Sequence, residues 1–176
     1  MTIPNLISVF RIGMVPFVIL MILGEDWRWA FALFVIAGIS DGLDGFVARQ
    51  FDMASRIGAV LDPLADKVLI AAIYTTLALV GAIPAWLAIV VVSRDVMIAL
   101  AFVLSWTIAR PITERTRPVS KLATALQIVL AGLVLGALAF GLDLGMLGDL
   151  LAILVVGFTA LTTVLYLSLW LKHMAG

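Results

Sequence analysis

Six apolar runs, each near the length of a bilayer crossing, constrain this chain more than any other feature. They fall at about residues 7–23, 28–49, 57–80, 84–109, 120–140 and 149–171. A helix needs roughly 20 apolar residues to cross the hydrocarbon core. In that core a backbone must satisfy its own hydrogen bonds, which leaves helices or closed barrels. Barrel strands alternate over about 10 residues, and these runs are longer and continuous. The expectation is an all-α integral membrane protein with six transmembrane helices, built as one domain over residues 1–176. The breaks carry turn residues or charge: Gly24-Glu25-Asp26, Gln50 to Arg56, Gly81 with Pro84, Arg110 to Pro118, and Gly141 to Gly148.

The loops set a direction. With the N-terminus in the cytoplasm, the inner segments hold Arg49, Arg56, Arg110, Arg115, Arg117, Lys121 and Lys172. The outer segments then hold one cation, Arg28, beside Glu25, Asp26, Asp143 and Asp149. The positive-inside rule therefore predicts both termini in the cytoplasm. The opening MTIPNLISVFR has no basic leader or small-residue cleavage site, so no signal or transit peptide is expected. This suits a bacterial inner membrane. Net charge is zero, which argues against a nucleic-acid partner, and without cysteine there is no thiol nucleophile.

Against this background the stretch DGLDGFVARQFDMASRIGAVLDPLAD stands apart, with five aspartates between residues 41 and 66. Asp41 and Asp44 are three apart near the inner end of the second run. Asp62 and Asp66 are four apart in the third. Both spacings put a pair on one helix face. The short loop between them makes the two helices antiparallel neighbours, so all four carboxylates converge at a similar depth, while Asp52 lies in the loop. Each aspartate costs roughly 2.5–3.5 kcal/mol at a helix centre, and clustering adds repulsion. Arg49 and Lys67 are too few to offset four acids. Two divalent ions would offset them, and hard oxygen donors suit Mg²⁺, Mn²⁺ or Ca²⁺. Two-metal sites serve phosphoryl transfer. An acidic relay in an ion or proton transporter, and structural ion pairing, are the other readings of the spacing. Clustering of the acids at one side argues against transport. Pro63 is expected to open its helix beside Asp62.

The same stretch resembles the CDP-alcohol phosphatidyltransferase family, whose signature is D-G-x2-A-R-x8-G-x3-D-x3-D. Here it reads Asp44, Gly45, Ala48, Arg49, Gly58, Asp62 and Asp66, without departure, and Asp41 supplies the upstream acid of the longer form. The resemblance implies that Asp41, Asp44 and Asp62 ligate a pair of divalent ions, Mg²⁺ or Mn²⁺, with Asp66 contributing to the second. It implies that Asp66 is also the general base. Gly45, Ala48 and Gly58 would leave room for the cytidine diphosphate, and Arg49 would meet its phosphate or the acids. The donor would be CDP-diacylglycerol, the acceptor an alcohol at the inner surface, and the assembly a homodimer.

The acceptor is read from two further segments. VVSRDVMIALAF and SKLATALQ resemble family members that use phosphatidylglycerol and form cardiolipin. Members that use glycerol 3-phosphate tend to carry added cations at the positions of Phe102 and Ala123. A phosphodiester monoanion needs fewer cations than a phosphomonoester dianion, so phosphatidylglycerol is the expected acceptor and glycerol 3-phosphate the alternative. Arg94, Arg110, Arg115, Arg117 and Lys121 are the candidate acceptor contacts. For Arg94 and Asp95, adjacency predicts opposite sides of one helix. Trp27, Trp29, Trp86 and Trp170 fall near run ends, as an interfacial belt does. Gly132, Gly136 and Gly141 read as helix packing.

Overall fold

The computed structural model describes residues 3–51, 58–107 and 118–175, with side chains described over 9–40, 65–100 and 119–168. Six α-helices run through them: α1 (Ile3–Leu23), α2 (Trp27–Phe51), α3 (Gly58–Leu79), α4 (Ala85–Thr107), α5 (Pro118–Phe140) and α6 (Gly145–Ala175). No strand occurs among the described residues. α1, α2, α5 and α6 extend past the apolar runs that encode them, because backbone hydrogen bonding continues where hydrophobicity ends, while α3 and α4 fall within theirs. α3 continues through Pro63, so this proline does not open the helix.

The turns form where the sequence allows left-handed backbone. Glu25 has φ 57°, in a turn closed by the Asp26 amide donating to the Met21 carbonyl at 2.8 Å. Gly81 (φ 76°) and Gly141 (φ 66°) terminate α3 and α5, where glycine carries no Cβ penalty. Gly141 is therefore a terminator and not the packing residue expected of it.

The helices close into a ring. α1 packs on α2 and α3, α2 on α5, α5 on α6, α6 on α4, and α4 on α3; α3 also meets α5 across the ring. Among the described residues α2 and α3 are thus joined through α1, and they lack the extensive direct packing expected of antiparallel neighbours. Val15, Val18 and Ile22 of α1 are buried in the bundle. Between α2 and α5, Gly132 and Gly136 admit aromatic rings. A Cβ at Gly132 would stand 3.0 Å from the Phe34 ring, and one at Gly136 3.3 Å from Phe31.

The polarity of the bundle is inverted relative to a water-soluble domain. Arg11, Arg94, Asp95, Gln127 and Thr159 are buried, while Phe17, Leu20, Ile89, Ile153 and Val164 face outward. A contiguous apolar exterior with polar groups inside is the arrangement a lipid solvent selects. By length and composition, Val119–Phe140 and Gly145–Ser168 can cross a membrane. Within the residues whose side chains are described, the apolar stretches of α1 and α2 run Val9–Leu23 and Trp27–Ser40. Six helices are present among the described residues, but six crossings go beyond what their length and composition establish.

Candidate active site

The signature residues fall in the C-terminal half of α2 and the first half of α3. α2 carries Asp41, Asp44, Gly45, Ala48 and Arg49 in its C-terminal half. α3 opens on Gly58 and carries Asp62 and Asp66 in its first half. Residues 52–57 connect α2 to α3 in sequence. The side chains of Asp41, Asp44, Ala48, Arg49 and Asp62 lie outside the described residues. Arg110, Arg115 and Arg117 lie outside them altogether.

Asp66 is the signature acid whose side chain is described, and its partner comes from α1. Arg11 donates from Nη1 to Asp66 Oδ1 at 2.5 Å. Arg11 is 1% exposed, whereas the Asp66 side chain is 38% exposed. A buried guanidinium therefore fixes a carboxylate that still opens outward. Charge-assisted bonds of this kind are about twice as strong as neutral ones. The sequence held the signal: Arg11 is the one charged residue in α1, and a lone cation within an apolar helix requires a buried partner. The spacing of the aspartates gave no way to choose Arg11 as that partner.

A second arginine lies in α4. Arg94 donates from Nη1 to Asp95 Oδ1 at 2.6 Å and from Nη2 to Ser120 Oγ on α5 at 2.8 Å. Adjacency does not separate Arg94 from Asp95, because the long guanidinium stem curls back to its neighbour. Both are buried, and Arg94 Nε has no hydrogen-bond partner among the described residues. Arg94 and Asp95 are also the charged neighbours of Lys67, the residue after Asp66. Arg11, Asp66, Lys67, Arg94, Asp95 and Ser120 thus form a polar layer across α1, α3, α4 and α5. Lys121 follows Ser120 and is exposed.

Deeper in the bundle the polar groups are neutral. Tyr74 Oη donates to the Gln127 carbonyl at 3.0 Å, joining α3 to α5. Gln127 Nε2 donates to Thr159 Oγ1 at 3.3 Å, joining α5 to α6. Ser120, Ala123 and Gln127 lie on one inward face of α5, and Ala123 is fully buried.

Residues 1–171 match the family described as CDP-alcohol phosphatidyltransferase. The chain belongs to that family. Within it, the chain is 41% identical over 155 residues to the cardiolipin synthase (CMP-forming) of Rattus norvegicus, covering 79% of this chain and 51% of the relative. It is 39% identical over 155 residues to the Homo sapiens protein of the same description, covering 79% of this chain and 52% of that one. A CDP-diacylglycerol–glycerol-3-phosphate 3-phosphatidyltransferase of Bacillus subtilis is 37% identical over 107 residues, covering 52% of this chain and 55% of the relative. The chain spans about half the length of the curated relatives it matches. Residues 1–171 include both the signature and the Arg11–Asp66 pair of this chain.

Proposed function

We propose that this protein transfers the phosphatidyl group of CDP-diacylglycerol to phosphatidylglycerol, giving cardiolipin and CMP. The observation that carries this reading is the complete aspartate signature with Asp66 held by Arg11 and open to the outside. The acceptor assignment rests on SRDVM in α4 and SKLATALQ in α5, and on two relatives described as CMP-forming cardiolipin synthases. The Bacillus subtilis relative supports glycerol 3-phosphate as the alternative acceptor.

The acids suit a pair of divalent ions by chemistry: four carboxylates on two helices offer hard oxygen donors that Mg²⁺ or Mn²⁺ prefers. Asp41, Asp44, Asp62 and Asp66 would hold them. When bound, the ions supply charge that offsets the negative charge developing on the transferring phosphoryl group. Asp66 accepts the proton of the acceptor hydroxyl. That oxygen bonds to the phosphorus beside the diacylglycerol, and the bond from that phosphorus to CMP breaks. Arg11 keeps the base aligned without occupying its exposed side. Gly45, Ala48 and Gly58 admit the cytidine diphosphate, and Arg49 meets its phosphate. Lys121 meets the anionic acceptor, with Arg110, Arg115 and Arg117 on the preceding segment. Arg94 stands behind Lys121 and braces Ser120. The six helices span the bilayer with both termini and the site on the cytoplasmic side of a bacterial inner membrane, and the protein works as a homodimer.

The deciding experiment is CMP release by purified protein with Mg²⁺ or Mn²⁺, CDP-diacylglycerol and each acceptor separately. Release with phosphatidylglycerol, accompanied by cardiolipin, is expected. Release with glycerol 3-phosphate alone would overturn the acceptor assignment, and no release with either would overturn the reaction.

A further inference from the structure

Lys67 is a cation of the polar layer to which the proposed reaction gives no part. It follows Asp66 on α3 and is half-buried. Asp66 bonds to Arg11 of α1, whereas Lys67 has Arg94 and Asp95 of α4 as its charged neighbours. A turn of about 100° per residue gives this divergence: one side chain faces α1 and the next faces α4. Two contacts fix the level of Lys67. Tyr74 of α3 bonds to Gln127 of α5, and Lys67 stands seven residues before Tyr74 on the same face. Ser120, bonded to Arg94, stands seven residues before Gln127. Because Arg94 neighbours both Lys67 and Ser120, α3 and α5 run in the same direction. Lys67 is therefore level with Ser120, about 10 Å along the helix axes from the Tyr74–Gln127 contact and beside Asp66.

The charges at this level leave Lys67 without an anion of its own. Arg94 engages Asp95 Oδ1 through Nη1 and Ser120 Oγ through Nη2. No hydrogen bond or ion pair to Lys67 occurs among the described residues. α5 carries no acid and adds the cation Lys121 beside Ser120. The acid of α6, Asp149, lies at the other end of the bundle. Asp62 and Asp66 belong, with Asp41 and Asp44 of α2, to the proposed two-ion site, where Arg11 and Arg49 are the cations. Asp95 is then the one acid set against two cations, Arg94 and Lys67. We propose that Lys67 binds the phosphate of the acceptor. The inference rests on the transferase reading, in which divalent ions offset the signature acids. Its ligand is a phosphate ester on a glycerol unit: the phosphodiester of phosphatidylglycerol or the monoester of glycerol 3-phosphate. In both, one glycerol unit separates the attacking hydroxyl from the phosphate. One peptide step, about 3.8 Å between Cα atoms, separates the proposed base from the cation. An ammonium on a flexible stem presents three N–H donors to phosphate oxygens across that interval.

The test measures binding before turnover. Full-length protein in detergent with Mg²⁺, without CDP-diacylglycerol, is titrated calorimetrically with short-chain phosphatidylglycerol and, separately, with glycerol 3-phosphate. The ligand that binds the unaltered protein more tightly identifies the source of the phosphate. Lys67→Met should weaken that ligand at least about tenfold, as loss of a hydrogen bond to a charged group does, and Lys67→Arg should retain most of the affinity. In turnover, Lys67→Met should raise the KM for the same acceptor by a similar factor and leave the KM for CDP-diacylglycerol within about twofold. Its melting temperature in detergent should not fall, because Lys67 makes no pair that holds helices together. Binding of neither ligand to the unaltered protein, binding indifferent to Lys67→Met, or an equal rise in both KM values with a lowered melting temperature would overturn the proposal. The transferase reading fails separately, by absence of CMP release from the unaltered protein with either acceptor.

Discussion

The two buried arginines make opposite uses of the same group. Arg11 reaches from α1 to α3, 55 residues away in sequence, and its carboxylate partner is 38% exposed. Arg94 closes on the next residue, and its partner Asp95 is 8% exposed. One pair leaves an acid facing outward; the other seals its acid inside. A buried pair alone is weak evidence of stabilisation, since desolvation offsets much of the attraction. What separates the pairs is access: the Asp66 side chain is open to the outside, while that of Asp95 is buried.

This contrast can be broken in several ways. The largest effect belongs to the acids around Asp66. Asp62→Asn should lower CMP release by more than about a hundredfold, since a lost metal ligand exceeds the cost of losing an outer partner. Near-normal turnover in that variant would remove the two-ion reading. Next comes the base. Asp66→Asn should reduce turnover by about 10²–10⁴-fold, as loss of a general base does. Nucleotide binding, followed by calorimetry, should fall far less. Parallel loss of both would show that Asp66 only holds the donor.

Arg94 should report on stability instead. Arg94→Ala should cost about 3–5 kcal/mol by leaving Asp95 as an uncompensated buried charge, read from denaturation in detergent. Replacing both residues, Arg94→Met with Asp95→Leu, should restore most of that. A double variant that is fully stable yet fails to turn over would place Arg94 in the acceptor site after all. The smallest effect lies in the neutral layer. Tyr74→Phe should cost about 1 kcal/mol, the net worth of one hydrogen bond, and leave the acceptor preference untouched.

Helices and turns were the legible part of this fold. All six helices follow from apolar runs bounded by Gly24, Gly81, Gly141 and charge, because lipid-length hydrophobicity and glycine at positive φ are local signals. The aspartate motif was legible because its spacing is fixed along two helices. Packing order was not. Nothing local in α2 or α3 says that α1 lies between them, and ring closure is decided by side-chain fit among all six. The Arg11–Asp66 pair is hidden for the same reason: each residue announces that it needs a partner, but a 55-residue separation leaves the choice to tertiary structure. Arg94 misled by its neighbour's position, since a flexible stem overrides the angular spacing of adjacent residues.

Arg11 also bears on how the protein is made. In the proposed topology a lone arginine within a spanning helix raises the cost of insertion, by at most roughly 2.5–3.5 kcal/mol at the helix centre. Its counter-charge, Asp66, is synthesised 55 residues later. During translation α1 therefore has reason to linger beside the insertion machinery until α3 emerges. In that topology the contact that positions the proposed base also links the insertion of α1 to that of α3.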